Sequence, residues 1–238
     1  MLNASPLHAC RVLLLLLAAI PGVLNAATPA APPPPVTSDV RVSVTVMANQ
    51  KKVPAAGAVV WIPGSKLPAP PPGSARISSK SKRFDPRIVA VPVGATVDFP
   101  NLDRIFHNVF SLSEKAKFDL GLYKKGTSKP VTFQNPGLVR IYCNIHPQMA
   151  AYLMVVDGDI FGVSGTDGVV TLSGIPVGKH PVKVWDEKGG ETMTTVEVIA
   201  GRTAPLAVVM DGSSWREVPH LNKYGKEYAP PDDDENRY

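Results

Sequence analysis

A strict alternation of apolar and polar residues near the start of this chain of 238 amino acids is the pattern of a half-buried β-strand. Val40, Val42, Val44 and Val46 alternate with polar residues, so one face of the segment is apolar and the other is polar. Further short apolar runs, separated by glycine and proline turns, give at least twelve strands, and residues 27–238 contain no sustained helical stripe. Because twelve short strands exceed one small sandwich, the sequence predicts an all-β chain with two β-sandwiches.

The N-terminus has the composition of an export signal. Arg11 precedes an apolar run over residues 12–20, and a small-residue site follows near Ala26. The run is too short to span a bilayer, and a retained anchor is the alternative. The sequence therefore predicts a signal peptide over residues 1–26, no stable membrane span after its removal, and a periplasmic or otherwise exported mature chain.

Proline-rich and polar stretches mark the limits of the folded part. Residues 27–38 form a proline-rich linker, and a second proline run begins at Pro68. Beyond Asp211 the chain becomes polar, so residues 212–238 are predicted to be a polar C-terminal tail.

Three residues that can bind a soft metal lie in one short segment. Cys143, His146 and Met149 have the spacing Cys-x2-His-x2-Met, and Cys143 is the only cysteine after the predicted signal. His107 lies thirty-six residues upstream of Cys143. Each of these residues alone would be an ordinary core or strand residue. Two imidazoles and a thiolate in a plane, with a long axial thioether, are however the ligand set of blue copper, so the four together predict one type 1 copper ion.

Two neighbours of these residues have predicted supporting roles. Pro147 stiffens the ligand loop and removes a backbone N–H beside the metal. The backbone N–H of Asn108 is expected to donate a hydrogen bond to the Cys143 sulfur, and such donors modify reduction potentials. The alternative for Asn108 is an ordinary surface position on a strand.

The segments around the predicted ligands resemble those of a known family. Residues 84–86 are Phe-Asp-Pro, residues 93–99 are Val-Gly-Ala-Thr-Val-Asp-Phe, and residues 136–143 are Pro-Gly-Leu-Val-Arg-Ile-Tyr-Cys. With His-Asn-Val at residues 107–109, they make residues 75–157 resemble the cupredoxins, most closely the amicyanin and plastocyanin-like members. The resemblance implies a Greek-key sandwich that binds one type 1 copper. Proteins of this kind carry single electrons in the periplasm, some of them in methylamine utilisation.

A second set of motifs lies on both sides of the cupredoxin-like stretch. Residues 53–60 are Val-Pro-Ala-Ala-Gly-Ala-Val-Val, residues 166–168 are Thr-Asp-Gly, and residues 174–178 are Gly-Ile-Pro-Val-Gly. They resemble the two halves of transthyretin-like modules of the carboxypeptidase regulatory type.

The order of the two resemblances indicates an insertion. We expect a discontinuous transthyretin-like sandwich made of residues 39–66 and 158–211, with the cupredoxin domain inserted as residues 74–157, since exposed loops tolerate insertion. Trp185 is expected to pack within the transthyretin-like sandwich. The alternative is two consecutive domains, in which residues 40–63 add strands to the cupredoxin.

The charge distribution indicates an acidic partner. Residues 75–157 contain twelve lysines and arginines but six aspartates and glutamates, a local charge of +6, and Lys124 and Lys125 belong to this basic surface. The ligand loop has no charged residue, and Ala150 belongs to a small apolar patch around His146. This arrangement predicts steering of a redox protein with an acidic surface, a cytochrome or a dehydrogenase. A merely solvated basic surface is the alternative, and no nucleic acid is expected because no binding motif is present.

The residues available for further metal sites do not favour an enzyme. Multicopper oxidases have histidines beside the blue-copper cysteine, where this chain has Tyr142 and Asn144. Copper nitrite reductases need a second, histidine-rich site, yet the chain has five histidines in all, and His220 has no ligand-like neighbours. A binuclear purple centre needs two cysteines. The sequence predicts an electron carrier that is not an enzyme; the alternative is a copper-binding, copper-delivery or partner-binding module without that role.

Overall fold

The computed structural model describes residues 34–48, 50–67, 74–217 and 219–228. The predicted signal peptide lies outside these ranges, as do the first part of the linker and the end of the C-terminal tail. Every helix or strand in the described ranges is a β-strand, which confirms the all-β prediction. A helix long and apolar enough to cross a membrane is not found among these residues.

Eighteen strands follow one another in the described part of the chain. They are β1 (Thr37–Ala48), β2 (Lys51–Pro54), β3 (Val59–Ile62), β4 (Ser74–Arg76), β5 (Ser78–Lys80), β6 (Arg83–Asp85), β7 (Ile88–Pro92), β8 (Thr96–Pro100), β9 (His107–Ser111), β10 (Phe118–Tyr123), β11 (Ser128–Thr132), β12 (Gly137–Tyr142), β13 (Ala150–Val156), β14 (Ile160–Val163), β15 (Val169–Pro176), β16 (Gly178–Asp186), β17 (Gly190–Val198) and β18 (Ala204–Asp211). Their pairing gives five sheets.

Strands from both ends of the described chain form the first sandwich. In one sheet β1 lies between β15 and β18 and also pairs with β2; the other sheet has the order β14, β3, β16, β17. The alternating valines of β1, Val40, Val42, Val44 and Val46, are at most 2% exposed and pack in the core between these sheets. Because β1–β3 precede and β14–β18 follow residues 74–156, two separate parts of the sequence build this sandwich.

The strands between residues 74 and 156 form the second sandwich. A five-stranded sheet has the order β10, β9, β12, β13, β7, a three-stranded sheet has the order β11, β8, β4, and β5 and β6 form a hairpin. Phe99, Phe133, Ile141 and Leu153 are among the buried residues of its core. In the described ranges none of these strands pairs with β1, β2 or β3, so those strands add nothing to its sheets.

The two connections between the sandwiches lie side by side. The backbone N–H of Gly64 donates to the carbonyl of Asp157 (2.6 Å), and that of Asp159 donates to Ser65 (3.1 Å). The intervening segment thus leaves and rejoins the first sandwich at neighbouring points, the geometry in which insertion is tolerated. Its independence as a folding unit stays a prediction.

An apolar cluster joins the outer faces of the two sandwiches. Val59, Trp61 and Trp185 of the first sandwich pack against Met154 and Val156 of the second. β3 is therefore buried on both faces, which explains why its sequence is apolar throughout. The expectation that Trp185 packs within its own sandwich is wrong, because β16 turns this side chain to the outer face. The Trp61 indole N–H also donates to the carboxylate that follows β13, that of Asp157 (2.7 Å).

Deletion of residues 74–157, with residues 68–73 kept as the linker, should leave a folded β-sandwich, because both sheets and the core of the first sandwich remain. Trp61→Gln and Trp185→Gln are included because the deletion would expose these apolar side chains to water. Circular dichroism should show β-structure and a cooperative thermal transition. If this product melts without cooperativity while the full-length protein with the same two substitutions melts cooperatively, the two sandwiches are not independent.

Candidate metal centre

One buried asparagine forms hydrogen bonds that hold the loop preceding His107. Asn101 is fully buried at the end of β8, and its amide donates to the carbonyls of Ile105 and Tyr123, at 2.9 Å each. Its side-chain oxygen accepts the backbone N–H of Asp103 (2.9 Å). These bonds fix the loop between β8 and β9, so that His107 enters β9 in one orientation.

The other three predicted ligands lie on the loop between β12 and β13. Tyr142 and Ala150 are paired across these strands, so residues 143–149 close one end of the five-stranded sheet. Within the loop, the N–H of Met149 donates to the carbonyl of His146 (3.0 Å), and the N–H of Cys143 donates to that of Met149 (3.3 Å). The loop is therefore a tight turn held by the flanking strands, with Pro147 exposed at its tip.

The structure brings three of the four predicted ligand side chains into a metal-sized cluster. The ligand atoms of His107, Cys143 and His146 all lie within 4.8 Å of one another. The Cys143 sulfur lies 4.0 Å from Nδ1 of His107 and 3.6 Å from Nδ1 of His146. For a divalent ion with bonds of about 2.0 Å to imidazole and about 2.3 Å to thiolate, as zinc has, a trigonal plane sets nitrogen and sulfur about 3.7 Å apart. The donors present thus fit one ion.

Burial leaves this cluster accessible to solvent from one side. His107, Cys143 and Met149 are each 0% exposed, whereas His146 is partly exposed. The Met149 backbone hydrogen bonds hold this residue at the base of the loop, beside Cys143. The edge of His146 is therefore the part of the ligand set that reaches solvent.

Opposing effects act on the Cys143 thiol. Burial is the larger effect and raises the pKa of this thiol, and the backbone N–H groups of Asn108, Ile145 and His146 oppose the rise only in part. The donors favour a thiolate, which is the form that binds a metal. The role of the Asn108 N–H in tuning a bound metal stays a prediction.

A carboxylate that was not predicted from the sequence holds the outer nitrogen of His107. Nε2 of His107 lies 2.8 Å from Asp103, which fixes Nδ1 as the nitrogen that faces Cys143. Burial lowers the pKa of His107, and Asp103 partly opposes this effect. Asp103 itself accepts the N–H groups of Ser81 (2.6 Å) and Lys82 (2.9 Å), which lie in the β5–β6 turn with φ of 54° and 52°. The only sequence signal was an aspartate four residues before the histidine.

Side-chain hydrogen bonds connect Asn108 to the ligand loop. Its carboxamide oxygen accepts the backbone N–H of Asn144 (3.2 Å), and its amide donates to Asp119 (2.6 Å). Asn108 is 1% exposed, so a surface strand position does not describe it. It ties β9, β10 and the ligand loop together beside Cys143.

The residues predicted to dock a partner have different environments. Lys124 and Lys125 are exposed in the turn after β10, at the sheet end where β9 begins with a ligand. Ala150 is half-buried in β13, so it offers little contact area. Larger exposed apolar side chains come from the ligand-bearing segments themselves: Phe106 is 47% and Ile145 is 37% exposed.

Part of the C-terminal tail lies against the ligand loop, a contact with no clear sequence signal. The Tyr228 hydroxyl donates to the carbonyl of Cys143 (2.8 Å), and the His220 ring stacks on Tyr142 with centroids 3.9 Å apart. The tail was expected only to be polar.

Comparison with known proteins gives structural neighbours only. A scan against protein-family models gives no match, and neither does a search of curated proteins. Among solved structures, the copper-containing nitrite reductase NirK from Thermus scotoductus SA-01 is 26% identical, with a TM-score of 0.33 over 39% of this chain and 24% of that chain. The chain thus spans about a quarter of the nitrite reductase.

Two smaller proteins match over nearly their whole length. A purple cupredoxin from Nitrosopumilus maritimus is 25% identical, with a TM-score of 0.31 over 34% of this chain and 98% of that chain. An amicyanin mutant in its Cu(I) form is 22% identical, with a TM-score of 0.33 over 40% of this chain and 97% of that chain. The structural neighbours of this chain are cupredoxins, matched over 34% to 40% of its length.

Proposed function

We propose that this chain binds one copper ion through His107, Cys143, His146 and Met149 and carries single electrons between exported redox partners. The observation that carries the proposal is the cluster of two imidazole nitrogens and one thiol within 4.8 Å at the end of a β-sandwich, with His107 and Cys143 buried and His146 partly exposed. Two imidazoles, a thiolate and a weak thioether favour copper over harder ions. Bound there, copper supplies a couple between Cu(I) and Cu(II).

The β frame holds the donors in nearly the same place in both oxidation states. His107 begins β9, Cys143 directly follows β12, and Met149 directly precedes β13, so each is anchored by sheet hydrogen bonds. Asp103 fixes the ring of His107 from outside. Because little has to move when one electron arrives or leaves, this arrangement suits electron transfer better than bond-making chemistry.

The His146 edge is the proposed contact for electron exchange. It is partly exposed, and the exposed side chains of Phe106 and Ile145 on the same two segments are apolar. Lys124 and Lys125 lie at the same end of the sheet. Apolar contact surrounded by positive charge suits a brief encounter with an acidic cytochrome or dehydrogenase.

Export is part of the proposal. Residues 1–26 have the pattern of a signal peptide, and the remaining chain has a single cysteine. In an oxidising compartment an unpaired thiol is open to oxidation, and coordination to a metal would protect it.

Cys143→Ser should abolish the intense visible absorption of the copper-loaded protein, because a hydroxyl cannot replace the covalent thiolate bond. Met149→Gln should keep the absorption but lower the reduction potential, since a harder axial donor favours Cu(II). Met154→Gln, at an equally buried methionine between the sandwiches, should lower thermal stability and leave the potential unchanged. A Cys143→Ser protein that stayed blue would contradict the ligand set. A colourless wild-type Cu(I) protein that resists oxidation would contradict the carrier role and favour copper delivery.

Asp103→Asn should raise the reduction potential, because the lost negative charge beside His107 stabilised Cu(II) more than Cu(I). Copper affinity should fall about tenfold or more, as for other partners of metal-binding histidines. Redox titration and competition with a chelator measure the two effects. Asp98→Asn, on β8 of the same sandwich, is the charge-matched control, and equal potentials in both variants would show that Asp103 does not act through His107.

Lys124→Glu/Lys125→Glu should slow electron transfer to an acidic cytochrome several-fold at low salt, and the difference should shrink as salt shortens the Debye length to about 8 Å. Lys51→Glu/Lys52→Glu makes the same charge change at exposed positions of β2 on the other sandwich and should have little effect. Stopped-flow rates across a salt series make the comparison. Equal slowing by both double variants, or rates that do not depend on salt, would show that the basic surface is only solvated and does not steer a partner.

A further inference from the structure

Residues 219–228, called here the C-terminal strap, lie against the ligand loop although they follow the last strand of the first sandwich. The backbone N–H of Lys223 donates to the side-chain oxygen of Asn144 (3.0 Å). The hydroxyl of Tyr228 donates to the carbonyl of Cys143 (2.8 Å). The strap therefore contacts the predicted cysteine ligand and the residue after it, while it supplies no ligand itself.

Aromatic rings pack the strap onto the neighbour of the cysteine. The His220 ring stacks on Tyr142 at 3.9 Å with an interplanar angle of 17°, and it meets the Tyr228 ring edge-on at 5.2 Å and 88°. Since the Tyr228 hydroxyl gives its one hydrogen to Cys143, Nδ1–H of His220 is the donor to the Tyr228 oxygen (3.2 Å), and it also faces the Leu221 carbonyl (3.2 Å). Nε2 of His220 is buried without a hydrogen-bond partner among the described residues, so the ring is held by stacking and by its one donor.

A second set of contacts reaches the sulfur through Asn108. The ammonium of Lys223 lies 2.7 Å from Asp119, whose other oxygen accepts the Asn108 amide at 2.6 Å. Burial alone would raise the pKa of Asp119, but its hydrogen bonds, that from Lys223 first, lower it, so the carboxylate is charged. Asn108 in turn accepts the N–H of Asn144, the residue directly after Cys143. The strap thus acts on both sides of the cysteine.

The strap has an internal turn that presents these groups. The side-chain oxygen of Asn222 accepts the N–H groups of Tyr224 (2.9 Å) and Lys226 (3.1 Å), and the Asn222 N–H donates to the Lys226 carbonyl (2.8 Å). Gly225, with φ of 72°, allows the chain to reverse. This closed turn places the Lys223 N–H beside Asn144 and the Lys223 ammonium beside Asp119 at the same time. An extended polar tail would not do so.

We infer that the C-terminal strap is a positioning element of the metal centre. Tyr228 holds the backbone carbonyl of Cys143, while Lys223 holds the Asn144 side chain and, through Asp119, Asn108. These contacts set the direction of the Cys143 sulfur. The inference rests on the proposed copper site. Groups that orient metal ligands tune affinity and potential without touching the metal. A merely structural tail would affect thermal stability alone.

The test uses the full-length chain with two single substitutions, Tyr228→Phe and Lys223→Met. Tyr228→Phe removes one hydroxyl and keeps the ring, and Lys223→Met removes the charge that faces Asp119. Both should make copper loss to a chelator about tenfold faster or more and should shift the reduction potential, without loss of the visible absorption. Lys223→Arg should restore the wild-type values, and Lys226→Met, at an exposed lysine of the same turn, is the matched control that should behave as wild type.

A copper-free measurement separates this inference from the copper proposal. In the apoprotein, amide hydrogen exchange at Lys223 should be slow in the wild type and at least tenfold faster in Tyr228→Phe, because the strap then opens more often. Wild-type potential and copper loss in both variants would overturn the positioning role, as would unchanged exchange. If the wild-type protein formed no thiolate–copper band, the copper proposal would be wrong. The positioning role of the strap would then be wrong as well, whatever the exchange rates were.

Discussion

The sulfur of Cys143 is the atom on which the proposed metal site depends, because it is fully buried and a metal would bind its charged thiolate form. Burial of an unpaired thiolate is costly and raises the pKa of Cys143, and the backbone N–H groups of Asn108, Ile145 and His146 oppose this effect in part. Those donors are in place only if β9, β12 and the ligand loop keep their relative positions. These strands and the ligand loop therefore support the Cys143 sulfur.

The predicted ligand His107 is held in a similar way, through backbone groups that are distant from it in the sequence. The β5–β6 turn donates to Asp103, which holds His107, and Asn101 shapes the loop between them. Lys223 of the C-terminal strap contacts Asn144 in the ligand loop and Asp119, which holds Asn108. None of these groups belongs to the predicted ligand set, yet each restricts how a predicted ligand can move. A rigid donor set is what a carrier of single electrons requires, since reorganisation slows transfer.

The sequence predicted what depends on local pattern and could not predict what depends on distant packing. Alternation in β1 indicated strands, and the spacing around Cys143 indicated a metal site, because both are properties of neighbouring residues. Trp185 was assigned to the wrong face, since whether a large apolar residue packs inside its own sandwich or against another depends on the partner surface. Asp103 is an ordinary loop aspartate until the β5–β6 turn meets it. Tyr228 lies eighty-five residues from Cys143, and only the folded chain brings them together.

X-ray absorption at the copper edge of the loaded wild-type protein tests the central claim most directly, because it counts the atoms around the metal and measures their distances. With the ligands proposed here, the spectrum should contain one short copper–sulfur distance and two copper–nitrogen distances typical of imidazole, with at most a weak contribution from a longer sulfur. A first shell made only of nitrogen and oxygen would contradict the account, because Cys143 would then not be a ligand.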